Sequence, residues 1–160
     1  ILNGGISTMV LSRLATALGT TLIIMTASPV WAAPEADPLK PRVPSADRAG
    51  AQQLANPLPS TPENLVNGKT LYEGKGTCAN CHGKGGKGDG VGGMMLMPGP
   101  RNFTNCAFHK KRSDGELFWV LKNGSPGTGM PAFVKGGVLT EEEAWLIVTY
   151  ERSFCKETEP

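Results

Sequence analysis

Three segments of the chain carry hydrophobic residues at helical spacing, and all three lie after residue 60. The first segment places small and apolar residues on one face: Leu65, Gly68, Leu71 and Tyr72. Thr61 suits the N-cap, and Pro62 suits the first helical position because no N–H donor is needed there. The pattern predicts a helix that begins at Pro62 and ends near Gly74 or Gly76.

The other two segments each follow a capping box, in which a hydroxyl residue and a glutamate three positions later bind each other's backbone N–H groups. Residues 113–116 read Ser-Asp-Gly-Glu and precede the apolar run 117–121, which Asn123 and Gly124 end. Residues 140–143 read Thr-Glu-Glu-Glu and start a helix with one apolar stripe: Ala144, Ile147, Tyr150 and Phe154. No run of strands is evident, so an all-α fold with long loops is predicted.

Apolar residues also dominate 14–27, but this run is too short for a transmembrane helix. Arg13 precedes it, and residues 30–32 carry small side chains at the positions that a signal peptidase reads. The arrangement predicts a secretion signal over residues 1–32. Met9 is a candidate start, which would make residues 1–8 an upstream extension. An uncleaved membrane anchor is the alternative.

Proline punctuates residues 33–60, with Ala, Asp and Arg between the prolines. This composition lacks a core-forming pattern and predicts a solvated Pro/Ala-rich linker, or a tether to a partner or membrane. The folded domain is predicted to span residues 61–160. The whole chain has 21 glycines and 13 prolines among 160 residues, which predicts extensive loops. Its net charge of +2 is too small to indicate nucleic-acid binding.

The candidate chemistry is concentrated at residues 78–82, which read Cys-Ala-Asn-Cys-His. This spacing is typical of covalent attachment of a c-type haem, in which Cys78 and Cys81 form thioethers and His82 ligates the iron. The glycine-rich residues 83–90 that follow are predicted to form a loop. They lack the Gly-Lys-Ser/Thr ending of a phosphate-binding loop.

Two alternatives to a haem are open to this motif. A zinc site would need two further ligands, and the available Cys106, His109 and Cys155 match no zinc-binding spacing. A thioredoxin-like pair would need a βαβ context and a cytosolic setting, which the predicted export disfavours.

A haem held by His82 needs a second axial ligand. The candidates are Met94, Met95, Met97, His109 and Met130. Met130 is favoured because the small residues before it let the backbone approach, and Pro131 stiffens the loop. Met94, Met95 and Met97 lie in an apolar stretch that is expected to wall the pocket. His109 is followed by three cationic residues and is expected to be exposed.

From Thr61 to Phe154 the chain resembles a class I cytochrome c. Besides the first helix and residues 78–82, the resemblance rests on 88–90, 96–103, 120–133 and the closing helix. It implies a small all-α fold around one covalent haem c, ligated by His82 and Met130.

The resemblance also implies several contacts. The first and last helices would cross near Gly68, where the missing side chain admits Ile147 and Tyr150. The carbonyl of Pro100, or else of Pro98, would accept the hydrogen bond of the His82 ring. Residues near the haem edge or propionates would be Trp119, Lys122 and Asn123.

Cys106 and Cys155 fit no haem motif, which leaves one haem per chain. In the resembled fold they would come close enough for a disulfide, which would stabilise the fold by about 4 kcal/mol in the chain-entropy model. The usual family pattern lacks these cysteines, and two free thiols are the alternative.

The resemblance implies a periplasmic one-electron carrier rather than an enzyme, either free or as the haem subunit of a larger oxidoreductase. A haem enzyme or gas-binding protein with a labile sixth ligand is the alternative. Cationic residues cluster in the haem-binding half, and glutamates, Glu151 among them, gather at the C-terminal end. A basic rim would favour acidic redox partners. A membrane would be reached only through a partner complex or an uncleaved signal.

Overall fold

The computed structural model describes Ile1 and residues 37–156, and the predicted secretion signal over 1–32 lies outside the described residues apart from Ile1. Six α-helices and one 3₁₀ turn, Val91–Gly93, make up the regular structure of the described part. The helices are α1 Ser45–Gln53, α2 Pro62–Glu73, α3 Ala79–His82, α4 Cys106–Lys111, α5 Asp114–Asn123 and α6 Glu141–Arg152. The all-α prediction is confirmed. No helix among the described residues is long and apolar enough to cross a membrane.

The three helices predicted from hydrophobic spacing are present as α2, α5 and α6. Thr61 caps α2 by accepting a hydrogen bond from the Asn64 N–H at 3.2 Å. Both capping boxes form, and the N–H groups of Ser113 and Thr140 each donate to a glutamate carboxylate, at 3.0 and 2.8 Å. Helix α6 ends at Arg152, two residues before the end of the predicted stripe. Local capping chemistry therefore fixes the starts of all three helices.

Helices α2 and α6 cross at Gly68, as predicted. A Cβ on Gly68 would overlap the Leu146 carbonyl oxygen and would lie 2.8 Å from Cβ of Tyr150. The neighbours of Gly68 are thus Leu146 and Tyr150, whereas Ile147 faces Gly76 instead. Only a glycine allows the two backbones to approach this closely.

The core lies around this crossing. Tyr72, Ile147 and Val148 are fully buried, and Tyr72 donates a hydrogen bond to the Gly83 carbonyl at 2.9 Å. On the α5 side, the rings of Phe118 and Trp145 stack with centroids 4.0 Å apart. The core therefore joins α2, α5 and α6 and leads directly to the segment that follows α2.

The expectation that residues 33–60 form a solvated linker is wrong for the described residues 37–60. Val43 and Ala51 are each only 2% exposed, and α1 packs across α5 at Gly115. A Cβ on Gly115 would overlap the Ala51 carbonyl oxygen and would lie 2.7 Å from Cβ of Leu54. Few apolar residues are needed for this packing, so composition did not reveal it.

Two arginines hold the segment before α1, residues 37–43, which we call the N-terminal arm. The Arg101 guanidinium donates to the carbonyls of Pro38 and Lys40, the latter at 2.9 Å. Arg112 donates to the Leu39 carbonyl at 2.7 Å. The arm is therefore attached to the domain by charge-assisted hydrogen bonds to its backbone.

A disulfide joins Cys106 to Cys155, with Cα atoms 5.1 Å apart, as the resemblance implied. Beside it, Arg152 donates to the His109 carbonyl and contacts His109 Nδ1, at 2.8 and 3.1 Å. His109 Nε2 lies 2.6 Å from the Phe103 carbonyl oxygen. The expectation that His109 is exposed is wrong, because this network ties it between α4 and α6.

Gly68→Ala is expected to destabilise the protein by about 1–3 kcal/mol or more, because the added methyl group meets backbone that cannot easily move. Gly50→Ala is the matched control, since Gly50 lies in α1 with open space around its Cβ position. That control is expected to be neutral or to stabilise by about 0.5–1 kcal/mol. Urea unfolding of the holoprotein measures both changes, and equal stability of the two variants would contradict the crossing.

Replacing both Cys106 and Cys155 with serine is expected to lower the free energy of unfolding by about 4 kcal/mol, for a disulfide that spans 49 residues. The same denaturant titration measures it. Adding a reductant should destabilise the native protein but leave the double variant unchanged. Equal sensitivity of the two proteins to reductant would contradict a structural role for the bond.

Candidate functional site

A cavity of about 430 Å³ lies between α3, α5, the loop 96–103 and the loop 124–131. Its walls include Cys78, Cys81, His82 and Met130, the four residues that the sequence selected for haem binding and ligation. The volume lies within the range of about 300–1,000 Å³ that is usual for ligand and cofactor sites. The structure therefore brings the two halves of the predicted site to one space.

The short helix α3 aims the cysteine motif into this cavity. Cys78 is its N-cap, and the His82 N–H donates to the Cys78 carbonyl at 2.8 Å. Neither Cys78 nor Cys81 is part of a disulfide. Burial, with a smaller contribution from Glu151, raises the pKa of the Cys78 thiol to about 12. Redox-active Cys-x-x-Cys pairs have a lowered thiol pKa, so this environment disfavours the thioredoxin-like alternative.

The His82 ring is oriented by a backbone carbonyl. Its Nδ1 lies 2.9 Å from the Arg101 carbonyl oxygen, and because a carbonyl only accepts, Nδ1 carries the proton. Phe103 stacks on the ring with centroids 4.5 Å apart. Nε2 is left with a free lone pair, which is the state that a metal-ligating imidazole requires.

The expectation that Pro100, or Pro98, supplies this carbonyl is wrong. The Pro100 carbonyl oxygen instead faces Gly88, where a Cβ would lie 2.6 Å from it, and its ring packs on Gly93. Pro100 lines the cavity, but the carbonyl that His82 Nδ1 contacts belongs to the next residue, Arg101.

Burial keeps the imidazole of His82 neutral. Desolvation lowers its pKa to about 4, and the nearby positive charge of Arg101 acts in the same direction. The hydrogen bond to the Arg101 carbonyl opposes this effect. A neutral ring at physiological pH can donate its lone pair to a metal without first losing a proton.

Met130 is held at the cavity by a tight loop. The Ser125 N–H donates to the Met130 carbonyl at 3.1 Å, and the Met130 N–H donates to the Thr128 hydroxyl at 3.2 Å. Gly129 packs against Leu96, which also lines the cavity. The backbone bonds therefore present the Met130 side chain to the space that His82 faces.

The methionines of residues 94–97 do not wall the cavity, which corrects the expectation for them. Met95 and Met97 are 88% and 84% exposed, and Met94 is exposed as well. Only Leu96 of this stretch turns inward. His109 also lies outside the lining of the cavity, so neither group supplies a competing ligand there.

The residues implied near the haem edge are also placed elsewhere. Trp119, Lys122 and Asn123 lie outside the lining, and Lys122 forms an ion pair with Glu141 at 2.6 Å. The cavity is instead lined by four cations: Lys40, Arg42, Arg101 and Arg112. The sequence placed Arg101 and Arg112 in a basic rim and did not single out Lys40 or Arg42. Arg42 and Lys40 were missed because the arm was interpreted as a linker.

The walls fit a haem. They are largely apolar, which suits a porphyrin ring, and two buried donors of the lining lack partners among the described residues: Arg112 Nε and Ser125 Oγ. Buried donors without partners are costly, and the propionate carboxylates of a haem would satisfy them.

By contrast, no cluster of three His, Cys, Asp or Glu side chains suited to a metal ion occurs within the described residues. The zinc alternative therefore finds no site there.

Comparison with known proteins agrees with this fit. Residues 63–150, more than half of the chain, match the model of the family described as cytochrome C oxidase, cbb3-type, subunit III. No protein with a curated description matches the chain.

Among solved structures, a chain of the Kuenenia stuttgartiensis reducing HAO-like protein complex Kustc0457/Kustc0458 is 32% identical with a TM-score of 0.54, covering 62% of this chain and 47% of that one. The KustC0563 c-type cytochrome is 30% identical (TM-score 0.47), covering 56% of this chain and 98% of that one. Cytochrome CL from Methylophaga aminisulfidivorans is 22% identical (TM-score 0.44; coverage 59% and 57%). The chain spans about half the length of the first relative.

Proposed function

We propose that this chain, which belongs to the cytochrome C oxidase, cbb3-type, subunit III family of c-type cytochromes, carries single electrons through one haem c. The family is one of electron-transfer proteins with covalently bound haem. The observation that supports the finer assignment is the shared cavity, which is lined by Cys78, Cys81, His82 and Met130 together.

Each of these residues has a role in the proposal. Cys78 and Cys81 would form the two thioethers, while His82 and Met130 would ligate the iron. Bound haem supplies an iron centre that exchanges one electron between its ferrous and ferric states. The soft, neutral thioether of Met130 favours the ferrous state and raises the reduction potential.

The protein's contribution is to hold the proposed ligands in fixed positions. The Arg101 carbonyl and the Phe103 ring fix the plane of His82, and the bonds within the loop 124–131 fix Met130. Ligands that keep their positions in both oxidation states need little rearrangement on electron transfer. A filled coordination shell also leaves no position for a substrate, which supports a carrier rather than an enzyme.

Two buried donors of the cavity would bind the propionate carboxylates of the haem. Arg112 Nε and Ser125 Oγ would donate hydrogen bonds to them, with further positive charge from the other cavity-lining cations. These contacts would add charge-assisted bonds to the covalent attachment.

Export to the periplasm is part of the proposal. The predicted signal over residues 1–32 supports it, and so does the Cys106–Cys155 disulfide, because structural disulfides persist in oxidising compartments. The related Kuenenia stuttgartiensis chain comes from a protein complex, which supports exchange of electrons with a protein partner.

Gel filtration of a native extract decides whether the chain acts as a free carrier or as a subunit of a larger complex. Co-elution of the haem with a large complex would contradict the free carrier.

An acidic docking surface on the partner stays a prediction, on a smaller basic patch than the sequence indicated. Arg101 and Arg112 face the cavity, and Lys75 is paired with Glu143 at 2.7 Å. The exposed lysines Lys84 and Lys87 remain beside the cysteine motif. They would steer an acidic partner by long-range attraction that weakens with salt.

Met130→Ala tests the ligation. Loss of the thioether opens the sixth position, so we expect the ferrous variant to bind carbon monoxide rapidly and its reduction potential to fall. Met97→Ala is the matched control, because Met97 is exposed and lies outside the cavity lining. It should leave both the potential and the resistance to carbon monoxide unchanged.

The native protein decides between a carrier and the alternative of a haem enzyme or gas-binding protein. Native ferrous protein is expected to resist carbon monoxide on the stopped-flow timescale and to accept one electron per haem in a reductive titration. Rapid binding of carbon monoxide by the native protein would refute the carrier and favour a labile sixth position.

A further inference from the structure

One carboxyl group lies on the apolar stripe of α6. Glu151 is only 4% exposed and follows Ala144, Ile147 and Val148 on the same buried face. Its side chain also lines the cavity that contains Cys78 and His82. The sequence analysis grouped Glu151 with the acidic residues of the C-terminal end. In the structure it is instead buried beside the cavity.

Glu151 has no partner within the described part of the chain: no hydrogen bond or ion pair of those residues reaches its carboxyl group. The neighbouring Arg152 is engaged elsewhere, with the Asp114 carboxylate at 2.6 Å and the Arg112 carbonyl at 2.6 Å. A buried carboxyl group without a partner disfavours ionisation, because a charge taken from water is costly.

The charged and titratable groups near Glu151 are Tyr72, Cys78 and those of the cavity lining. The charge of Glu151 contributes to raising the pKa of Tyr72, on α2, and of Cys78, before α3. The Tyr72 hydroxyl, however, donates to the Gly83 carbonyl, and Cys78 is proposed to bind haem. Glu116, which also lines the cavity, is paired with Arg112 at 3.1 Å. The remaining titratable and cationic groups of the lining are His82, Lys40, Arg42 and Arg101. Burial raises the pKa of Glu151 to about 8, and Arg152 opposes this only in part.

We propose that Glu151 is a redox-linked proton acceptor, which takes up a proton when the haem is reduced and releases it when the haem is oxidised. The inference rests on the proposed function, because it needs a haem in the cavity. In the reduction step, the ferric iron gains one electron from the redox partner and the Glu151 carboxylate gains one proton from solvent. The ferrous iron and the neutral carboxylic acid are the products, so charge and atoms balance.

The physical basis is the interaction between two buried charges. A carboxylate in the cavity stabilises the additional positive charge of the ferric site, because both lie in a region of low dielectric constant. Reduction removes that positive charge, so the carboxylate is held less well and binds a proton more readily. By linkage, protonation of Glu151 makes the haem easier to reduce to the same extent.

The test is a spectroelectrochemical titration of the full-length holoprotein from about pH 5 to about pH 10, the range around the pKa of a buried carboxyl group. The native potential is expected to fall as the pH rises through the titration of Glu151. A full coupling of one proton to one electron changes the potential by about 59 mV per pH unit, since one pH unit is a tenfold change in proton concentration.

Glu151→Gln keeps the shape of the side chain and removes the proton site. It is expected to flatten the slope and to raise the potential at high pH to that of the protonated native protein. Glu142→Gln is the matched control, because Glu142 is exposed on the same helix, and it should keep the native slope. A native slope retained in Glu151→Gln would overturn the proposal and assign the proton to another group, such as a propionate.

A second measurement needs no variant. Reduction of the native protein near pH 8 in weak buffer with an indicator dye is expected to take up a large fraction of one proton per electron. No proton uptake and a potential independent of pH, in a protein that still carries haem, would overturn the role of Glu151 but not the carrier function. A protein without redox-active haem would overturn both.

Discussion

The hydrogen bond from His82 Nδ1 to the Arg101 carbonyl is the contact on which the rest of the site depends. It fixes the imidazole plane and leaves Nε2 free to bind a metal. The same residue, Arg101, uses its guanidinium to hold the N-terminal arm through the carbonyls of Pro38 and Lys40. One residue therefore couples the orientation of the proposed iron ligand to the closure of the cavity by the arm, and a shift of the loop 96–103 would disturb both.

The scaffold around this contact is built from close crossings rather than from a large core. Gly68 lets α2 and α6 approach, and Gly115 does the same for α1 and α5. The Cys106–Cys155 disulfide and the contacts of Arg152 then fasten the end of α6 to α4. This arrangement surrounds an apolar cavity, so the native state is expected to depend on the haem that fills it. Burial of a porphyrin would supply contacts that few side chains here provide.

Local signals in the sequence predicted the parts of the structure that local chemistry determines. Capping boxes at 113–116 and 140–143 fixed helix starts, and the spacing at 78–82 selected three residues that line the cavity: Cys78, Cys81 and His82. The packing of α1 was missed because it depends on a distant glycine, Gly115, and on the few apolar residues near it. The choice of Arg101 over Pro100 as the acceptor for His82 depends on the path of a loop, which composition does not encode. Glu151 was misplaced because residue type was given more weight than its position on the α6 stripe.

The central claim is that one haem is covalently attached at Cys78 and Cys81, inside the cavity that His82 and Met130 line. The most direct measurement is the intact mass of the denatured protein, combined with its alkaline pyridine spectrum. The account predicts one haem that remains attached to each chain after denaturation and is lost when Cys78 and Cys81 are both replaced with serine. A chain that carries no haem, releases it on denaturation or retains it in the double variant would contradict the account.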